Sequence, residues 1–357
     1  MRSATFSADG RQATWQINGT LAHGAIDMRI VLSVAFGLLS LVAAQADERP
    51  QLSLPLICEP HKTCFIQSYV DLDTSPAVRD YACGSATYNG HSGVDFRVLS
   101  AAASGAGVAV IAAADGTVTG VRDGVADAFA SQSKPSAIAG KECGNGVVID
   151  HGGGWETQYC HMKQGSVKVA QGAAVKRGDR LGDVGYSGMA DFAHLHLSVR
   201  HDNKIVDPFL PESQGGSCER SSRSAGLWQP AVAAAFPYRQ GEIIGVGIVG
   251  APPDHAALEI DHGKVEQLST SSQAMVIYGR FVNLLKGDRL RFIITGPVGS
   301  IVETVSDPLA KGKATFTSYA GKKRKSDLWP PGRYEGRVEL VRDGGVIATS
   351  VATHDLR

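Results

Sequence analysis

The 357-residue chain has no surplus of either charge, since Lys+Arg 35 balances Asp+Glu 35. No global field therefore draws it to nucleic acid or to acidic lipid. It has no apolar run of the ~20 residues that a membrane-spanning helix needs. No repeat of ~20–50 residues stands out, which argues against a solenoid. There is no H-E-x-x-H, so a metalloprotease with a Glu base on a helix is excluded. Gly185-x-Ser187-Gly188 lacks the G-x-S-x-G form of a nucleophile elbow and reads as a turn lining a groove. What is plentiful is glycine, 42 of 357 residues, against a usual ~7%. With many short Val/Ile/Leu runs, this points to turn-rich β structure. At 43% hydrophobic and 20% charged, the chain can bury a sizeable core. At ~150 residues per domain, its length fits two domains and a terminal extra.

That extra is an address. Met28-Arg29, the apolar run Ile30 to Ala44 and the Ala44-Gln45-Ala46 site have the form of a secretory signal peptide. Residues 1–27 are polar and either form a long N-terminal region of the signal or precede a true start at Met28, the preferred reading. Retention as an uncleaved anchor is the alternative. Cleavage after Ala46 leaves 311 residues with a net charge of −1. The expectation is an exported protein of the periplasm or cell envelope with no stable membrane span.

All six cysteines, Cys58, Cys64, Cys83, Cys143, Cys160 and Cys218, follow that signal. An even count in an exported chain reads as disulfides. Val147–Asp150 and Trp155–Tyr159 read as strands flanking His151-Gly152-Gly153-Gly154, a hairpin pattern. The midpoint of Cys143 and Cys160 coincides with a turn centred at 151.5, which would set the two face to face across the ladder. Cys58–Cys64 is favoured by proximity, leaving Cys83–Cys218.

Polar, small residues over 212–225 read as a linker. The expected organisation is a signal region 1–46, an N-terminal extension 47–82, a β domain 83–211 and an Ig-like β-sandwich 226–357. Strands are expected at Val108–Ala113, Thr117–Val121, Val147–Asp150, Thr157–Tyr159 and His194–Arg200. Beyond the linker they are expected at Glu242–Val249, Ala274–Val282, Leu290–Thr295, Lys313–Tyr319, Tyr334–Val341 and Gly345–Val351. Val125 to Gly140 has no clear period and reads as a long surface loop, a candidate site lid. The basic run Lys311 to Lys325 reads as a solvated hairpin edge, with an anionic envelope polymer as the alternative reading.

Chemistry points to the histidines. His194-Leu195-His196 alone is weak evidence, but Phe192 to Val199 alternates so that both histidines share one strand face and both leucines the other. His91-Ser92-Gly93-Val94-Asp95 lies where a loop runs into a strand. A chain whose cysteines are bridged must build a zinc site from imidazole and carboxylate, usually three protein ligands with water fourth. His91, Asp95 and one histidine of the H-x-H meet that need. A general base must come from elsewhere, and non-ligand histidines are the natural candidates. His161 is expected to share strand parity with Tyr159 while Cys160 points away. His151 and His201 read as turn or surface residues, and His255 and His262 as structural or solvated.

GHSGVDF at 90–96, YCHM at 159–162 and AHLHLSVR at 193–200 resemble the motifs of lysostaphin/LytM-type zinc endopeptidases, family 23 of the metallopeptidases. Val175 to Gly188 is similar to that family's turn segment, and Asp207-Pro208 to its exit. The resemblance covers roughly residues 83–210. It implies a compact β fold with a site in a groove, one zinc ion per chain and cleavage of peptidoglycan peptides. Carried over position by position, His91, Asp95 and His196 would be the metal ligands, and His161 and His194 the catalytic pair. All five are present. The alternative is a metal-containing protein that binds peptidoglycan or regulates a separate hydrolase. No envelope regulator is identified by the sequence.

Overall fold

The computed structural model describes residues 49–211, 226–325 and 327–357, with the side chain of His262 excepted. The expected signal region, the expected linker and Cys218 lie outside the described residues. The chain is mainly β, with seventeen strands and four short α-helices among the described residues.

The first sheet system is built from β1 (Cys64–Ser68), β2 (Val94–Val98), β3 (Ala109–Ile111), β4 (Gly116–Arg122), β5 (Asn145–Gly152), β6 (Trp155–Met162), β7 (Ala174–Val175), β8 (Arg180–Asp183), β9 (His194–His201) and β10 (Lys204–Val206). The main sheet runs β1-β2-β9-β6-β5-β4-β7, with β10 paired to β9, and β3 and β8 form a separate pair. One face of the main sheet is apolar. Val94, Phe96 and Val98 of β2, Leu195, Leu197 and Val199 of β9, and Tyr159 of β6 share a core with Val110 and Leu181 of the small pair. The period-2 pleat sends the alternate residues, Asp95, Arg97, His194 and His196, to the opposite face. The core thus fixes which face carries the chemistry.

Two further segments complete this core. β1, absent from the sequence-based strand assignments, pairs antiparallel with β2. Its Cys64 and Ile66 face the core, and Cys64 is bridged to Cys58. From beyond the expected linker, Leu227, Trp228 and Phe236 pack into the same core, and Trp228 bridges to Leu52.

The second system comprises β11 (Glu242–Val249), β12 (Ala274–Leu284), β13 (Arg289–Gly296), β14 (Gly299–Val305), β15 (Lys313–Lys323), β16 (Gly332–Arg342) and β17 (Gly345–Leu356). Its sheets run β11-β12-β15 and β14-β13-β16-β17. Both contribute to a single apolar cluster, from Ile248, Ile277 and Phe281 on one side to Phe292, Ile294, Val338 and Leu340 on the other. β14 was not expected from sequence.

Cys143 and Cys160 are bridged, but not in the expected register. The β5–β6 ladder pairs Val147 with Tyr159 through Asp150 with Glu156. It is therefore centred on 153, not 151.5. Continued, that register would set Gly146, not Cys143, opposite Cys160, but the ladder is bulged between Asn145 and Val147. A Cβ at Gly146 would lie 3.0 Å from Cys143 Sγ and 2.4 Å from the Tyr159 carbonyl. The bridge closes because glycine leaves room for the sulfur. Cys83 is also disulfide-bonded.

The segment Val125 to Gly140, expected as a loop, carries a 3-10 turn (Ala130–Gln132) and a short helix. It is fastened along the 186–191 turn. Ala130 N–H donates to Ala190 O and Ser131 N–H to Asp191 Oδ1, while Phe129 packs on Tyr186 with ring centroids 4.8 Å apart.

Asp207 shows how tightly the exit of the first system is closed. Its Oδ1 accepts from Phe209 N–H at 2.7 Å, and its buried Oδ2 has no hydrogen-bond partner. Burial pushes the carboxyl up to about 7. The unfolded chain releases this proton near ~3.9. Stability from this group is therefore full below that value and is lost as pH rises through about 7. Asp207→Asn keeps the acceptor and removes the charge. It should raise the melting temperature at pH 8, by up to ~4 kcal/mol of stability, and leave it nearly unchanged at pH 4. Thermal unfolding at both pH values checks this, and an equal shift at both would refute it.

Candidate metal centre

His91 ends a turn before β2. Its Nδ1–H donates to the Tyr69 carbonyl at 2.7 Å. A backbone carbonyl can only accept, so in the neutral ring Nε2 is a bare lone pair. Asp95 sits on β2 directly opposite His196 of β9. His196 Nε2 lies 3.0 Å from Ser198 Oγ. With that proton donated to the hydroxyl, Nδ1 is bare.

These three groups converge. His91 Nε2 is 3.1 Å from Asp95 Oδ1 and 3.1 Å from His196 Nδ1, and His196 Nδ1 is 2.8 Å from Asp95 Oδ1. Among the described residues, this is the group of His, Cys, Asp or Glu whose ligand atoms come together in the manner of a metal site. Two imidazole nitrogens and a carboxylate oxygen form a donor set suited to zinc, and a tetrahedral ion with ligands at ~2.0–2.1 Å sets neighbouring donors ~3.3 Å apart. The electrostatics agree. Burial opposes the charge on Asp95, yet His91 and His194 hold its carboxyl well below the usual range. Burial likewise pushes His91 down, but Asp95 and the Tyr69 carbonyl more than offset it and raise its pKa. The centre is a buried anion that favours a cation beside it.

Backbone clearance matters as much as donor identity. A Cβ on Gly93 would meet His196 Nε2 and the Leu197 carbonyl, each at 2.6 Å. The loop that carries His91 can approach β9 only because residue 93 has no side chain.

His161 and His194 stand beside this triad, their ring centroids 4.6 Å apart, and His161 lies 6.0 Å from the His196 ring. His161 donates Nδ1–H to Ser187 O at 2.8 Å, and His194 donates Nδ1–H to Phe192 O at 2.9 Å. Burial, with the neighbouring His194 and His196, holds His161 well below the ordinary imidazole pKa. Burial also lowers His194. Both shifts favour the neutral ring, and with Nδ1–H tied to a carbonyl its Nε2 is the acceptor. His194 Nε2 is 3.6 Å from Asp95 Oδ1, so it lies against the triad without belonging to it.

His161 does not share the Tyr159 face, contrary to expectation. Its backbone is left-handed, with φ 61°, and this breaks the alternation. Tyr159 and Met162 both enter the core, while His161 turns to the ring of His194. The Gly146 bulge lies on the facing strand, and His161 N–H donates to Cys143 O at 2.8 Å. A non-glycine residue held in this region stores strain of order 1–3 kcal/mol and is concentrated at functional sites.

Ser187 organises the turn beside His161. Buried, it accepts from Asn145 N–H, donates to Met162 O and offers its own carbonyl to His161. Sequence reasoning gave no role to Tyr69, Gly93 or Ser187, two of which act largely through backbone carbonyls. His151 and His201 lie away from the site. His151 meets Asp115 O and Thr157 Oγ1, and His201 stacks on Trp155 at 4.3 Å.

Residues 89–208 match Peptidase family M23. The chain is 31% identical over 132 residues to an uncharacterized metalloprotease of Haemophilus influenzae, covering 37% of this chain and 23% of that protein. It is 36% identical over 64 residues to the peptidoglycan DD-endopeptidase ShyB of Vibrio cholerae, covering 18% of this chain and 15% of the relative. Less than a quarter of the length of either relative is spanned. The catalytic domain of lysostaphin from Staphylococcus simulans aligns at 22% identity with a TM-score of 0.25, over 34% of this chain and 77% of that one. Residues 89–208 of this chain thus form a domain that matches Peptidase family M23, and the candidate metal triad and both adjacent histidines lie within it.

Proposed function

We propose that the chain is an exported zinc endopeptidase that hydrolyses peptide bonds in peptidoglycan crosslinks. The observation that carries this reading is the pair of neutral imidazoles, His161 and His194, set beside a triad of converging lone pairs. A protein that only bound peptidoglycan would have no use for two pinned, unprotonated rings next to its metal ligands. The likeness to the Vibrio cholerae peptidoglycan DD-endopeptidase supports the substrate class. Bridged cysteines support an oxidising compartment such as the periplasm or cell envelope. Among the described residues, no helix is long and apolar enough to cross a membrane.

His91, Asp95 and His196 would hold the zinc. When bound, zinc lowers the pKa of water toward neutrality and polarises the scissile carbonyl. The chain's own residues do the rest. His161 and His194, each with Nδ1–H tied to a carbonyl, offer Nε2 as base to the attacking water. The proton taken there returns to the leaving amine as the C–N bond breaks, and the imidazolium formed in between stabilises the developing negative charge. Their depressed pKa values keep both rings in the basic form at neutral pH.

Incubating purified chain with peptidoglycan should release new amino groups, stop on addition of a chelator and resume with zinc. Binding without new amino groups would replace the enzyme with the binding or regulatory reading. Substitutions separate the roles. Asp95→Ala and His196→Ala should lose zinc and activity together. His161→Ala should keep most of its zinc while turnover falls ~10²–10⁴-fold, as for a positioned acid–base group. Elemental analysis beside turnover decides the matter, and a His161→Ala variant that loses zinc as completely as Asp95→Ala would make His161 a ligand.

A further inference from the structure

Arg97 follows Asp95 on the same face of β2, and the two pair across the ladder with His194 and His196 respectively. Its side chain is fully buried on a face that the apolar core does not cover. Three groups surround the guanidinium. Gln67 Oε1 accepts from it at 2.6 Å, the ring of Phe192 lies 4.7 Å from it, and Glu259 forms an ion pair with it. Glu259 belongs to the helix α4 (His255–Ile260) of the second system. The same carboxylate pairs with Arg280 of β12 at 2.8 Å, and Arg280 donates to Leu99 O at 2.7 Å. Burial pushes the Glu259 carboxyl up, but Arg97 and Arg280 hold it down at about 2. Around this cluster Phe65 of β1 packs with Ile244 and Val282 of the second system, and Asn283 donates to Gln67 O at 2.8 Å.

Phe192 connects this cluster to the candidate catalytic pair. Its ring stacks on His194 at 4.3 Å with an interplanar angle of 27°, and its carbonyl receives the His194 Nδ1–H. A buried guanidinium keeps its place only when a carboxylate and hydrogen-bond acceptors satisfy it. An aromatic ring beside it gains the cation–π attraction only while the cation stays there. The side chain that fixes Arg97, and through it Phe192, is thus supplied from a helix more than 150 residues further along the chain.

We propose that Glu259 is a positioning residue for His194, acting through Arg97 and Phe192, so that the C-terminal β module is a working wall of the catalytic groove. The proposal rests on the catalytic reading of His194 given above. It assigns the second system a part in the reaction rather than a separate binding task.

The test uses the full chain. Phe192→Leu keeps an apolar side chain but removes the ring, at a half-buried position. Zinc content and KM should stay within about twofold of the parent, while kcat falls tenfold or more. In the metal-free chain, nitrogen-correlated proton spectra should show His194 as a single Nδ1–H tautomer in the parent and as a mixture in Phe192→Leu. Glu259→Gln should move both readouts the same way, and Phe192→Tyr, which retains the ring, should restore them. If His194→Ala keeps full turnover, the role given to His194 is wrong. If His194→Ala abolishes turnover while Phe192→Leu keeps both parental kcat and a single tautomer, the positioning proposal is overturned. Loss of zinc in Phe192→Leu also overturns it, since the effect would then run through His196. If Glu259→Gln folds and keeps parental kcat and a single tautomer, the role of Glu259 is overturned; should it fail to fold, Glu259→Asp, which keeps the charge but draws it back from Arg97, takes its place with the same expected and overturning results.

Discussion

Each imidazole of the site commits one ring nitrogen to a fixed partner, and this constraint governs the rest. Tyr69 O, Ser187 O and Phe192 O hold the Nδ1–H groups of His91, His161 and His194, and Ser198 Oγ meets His196 Nε2. A ring tethered this way has a set tautomer and a set plane, and its second nitrogen is left bare. The fold supplies those tethers from four separate places: the strand exit after β1, the 185–189 turn, the segment before β9, and β9 itself. Removing water from around them costs little because every tether is satisfied within the protein.

The sequence made much of this visible and concealed the rest for identifiable reasons. Alternation in 192–199 placed His194 and His196 on one face because a pleated strand with apolar residues on one side leaves no other register. The Cys143–Cys160 bridge could be paired from sequence, but its register could not, because the hairpin turns at Gly153-Gly154 rather than at 151.5 and a bulge between Asn145 and Val147 then brings Cys143 within reach. The same local irregularity defeated parity at His161, whose left-handed backbone carries no strong mark in the residue itself. Tyr69 escaped notice because it acts through its carbonyl, which every residue has. Glu259 escaped because a charge on a short helix reads as a solvated residue until the fold brings it against Arg97.

The two flanking parts of the chain do more than frame the M23 domain. β1 closes one edge of its sheet, and Trp228 and Phe236 pack on Phe96 within the same core. The second β system then covers the polar face at β1 and β2. All five residues of β2 are buried, although only alternate ones face the apolar core. An ion pair placed there contributes less to stability than its charges suggest, because both partners lose their hydration. Its value is geometric, in that it fixes where Arg97 lies.

Gly93 sets a limit on how this site can vary. Its backbone has ordinary dihedral angles, so the position is not reserved for glycine by conformational freedom. It is reserved by volume, since even a methyl group would occupy the space of the His196 ring and the Leu197 carbonyl. The turn bearing His91 and the strand bearing His196 are therefore interlocked at one atom's width. Neither can shift its backbone path without the other, and the spacing of the candidate metal ligands is set as a single unit.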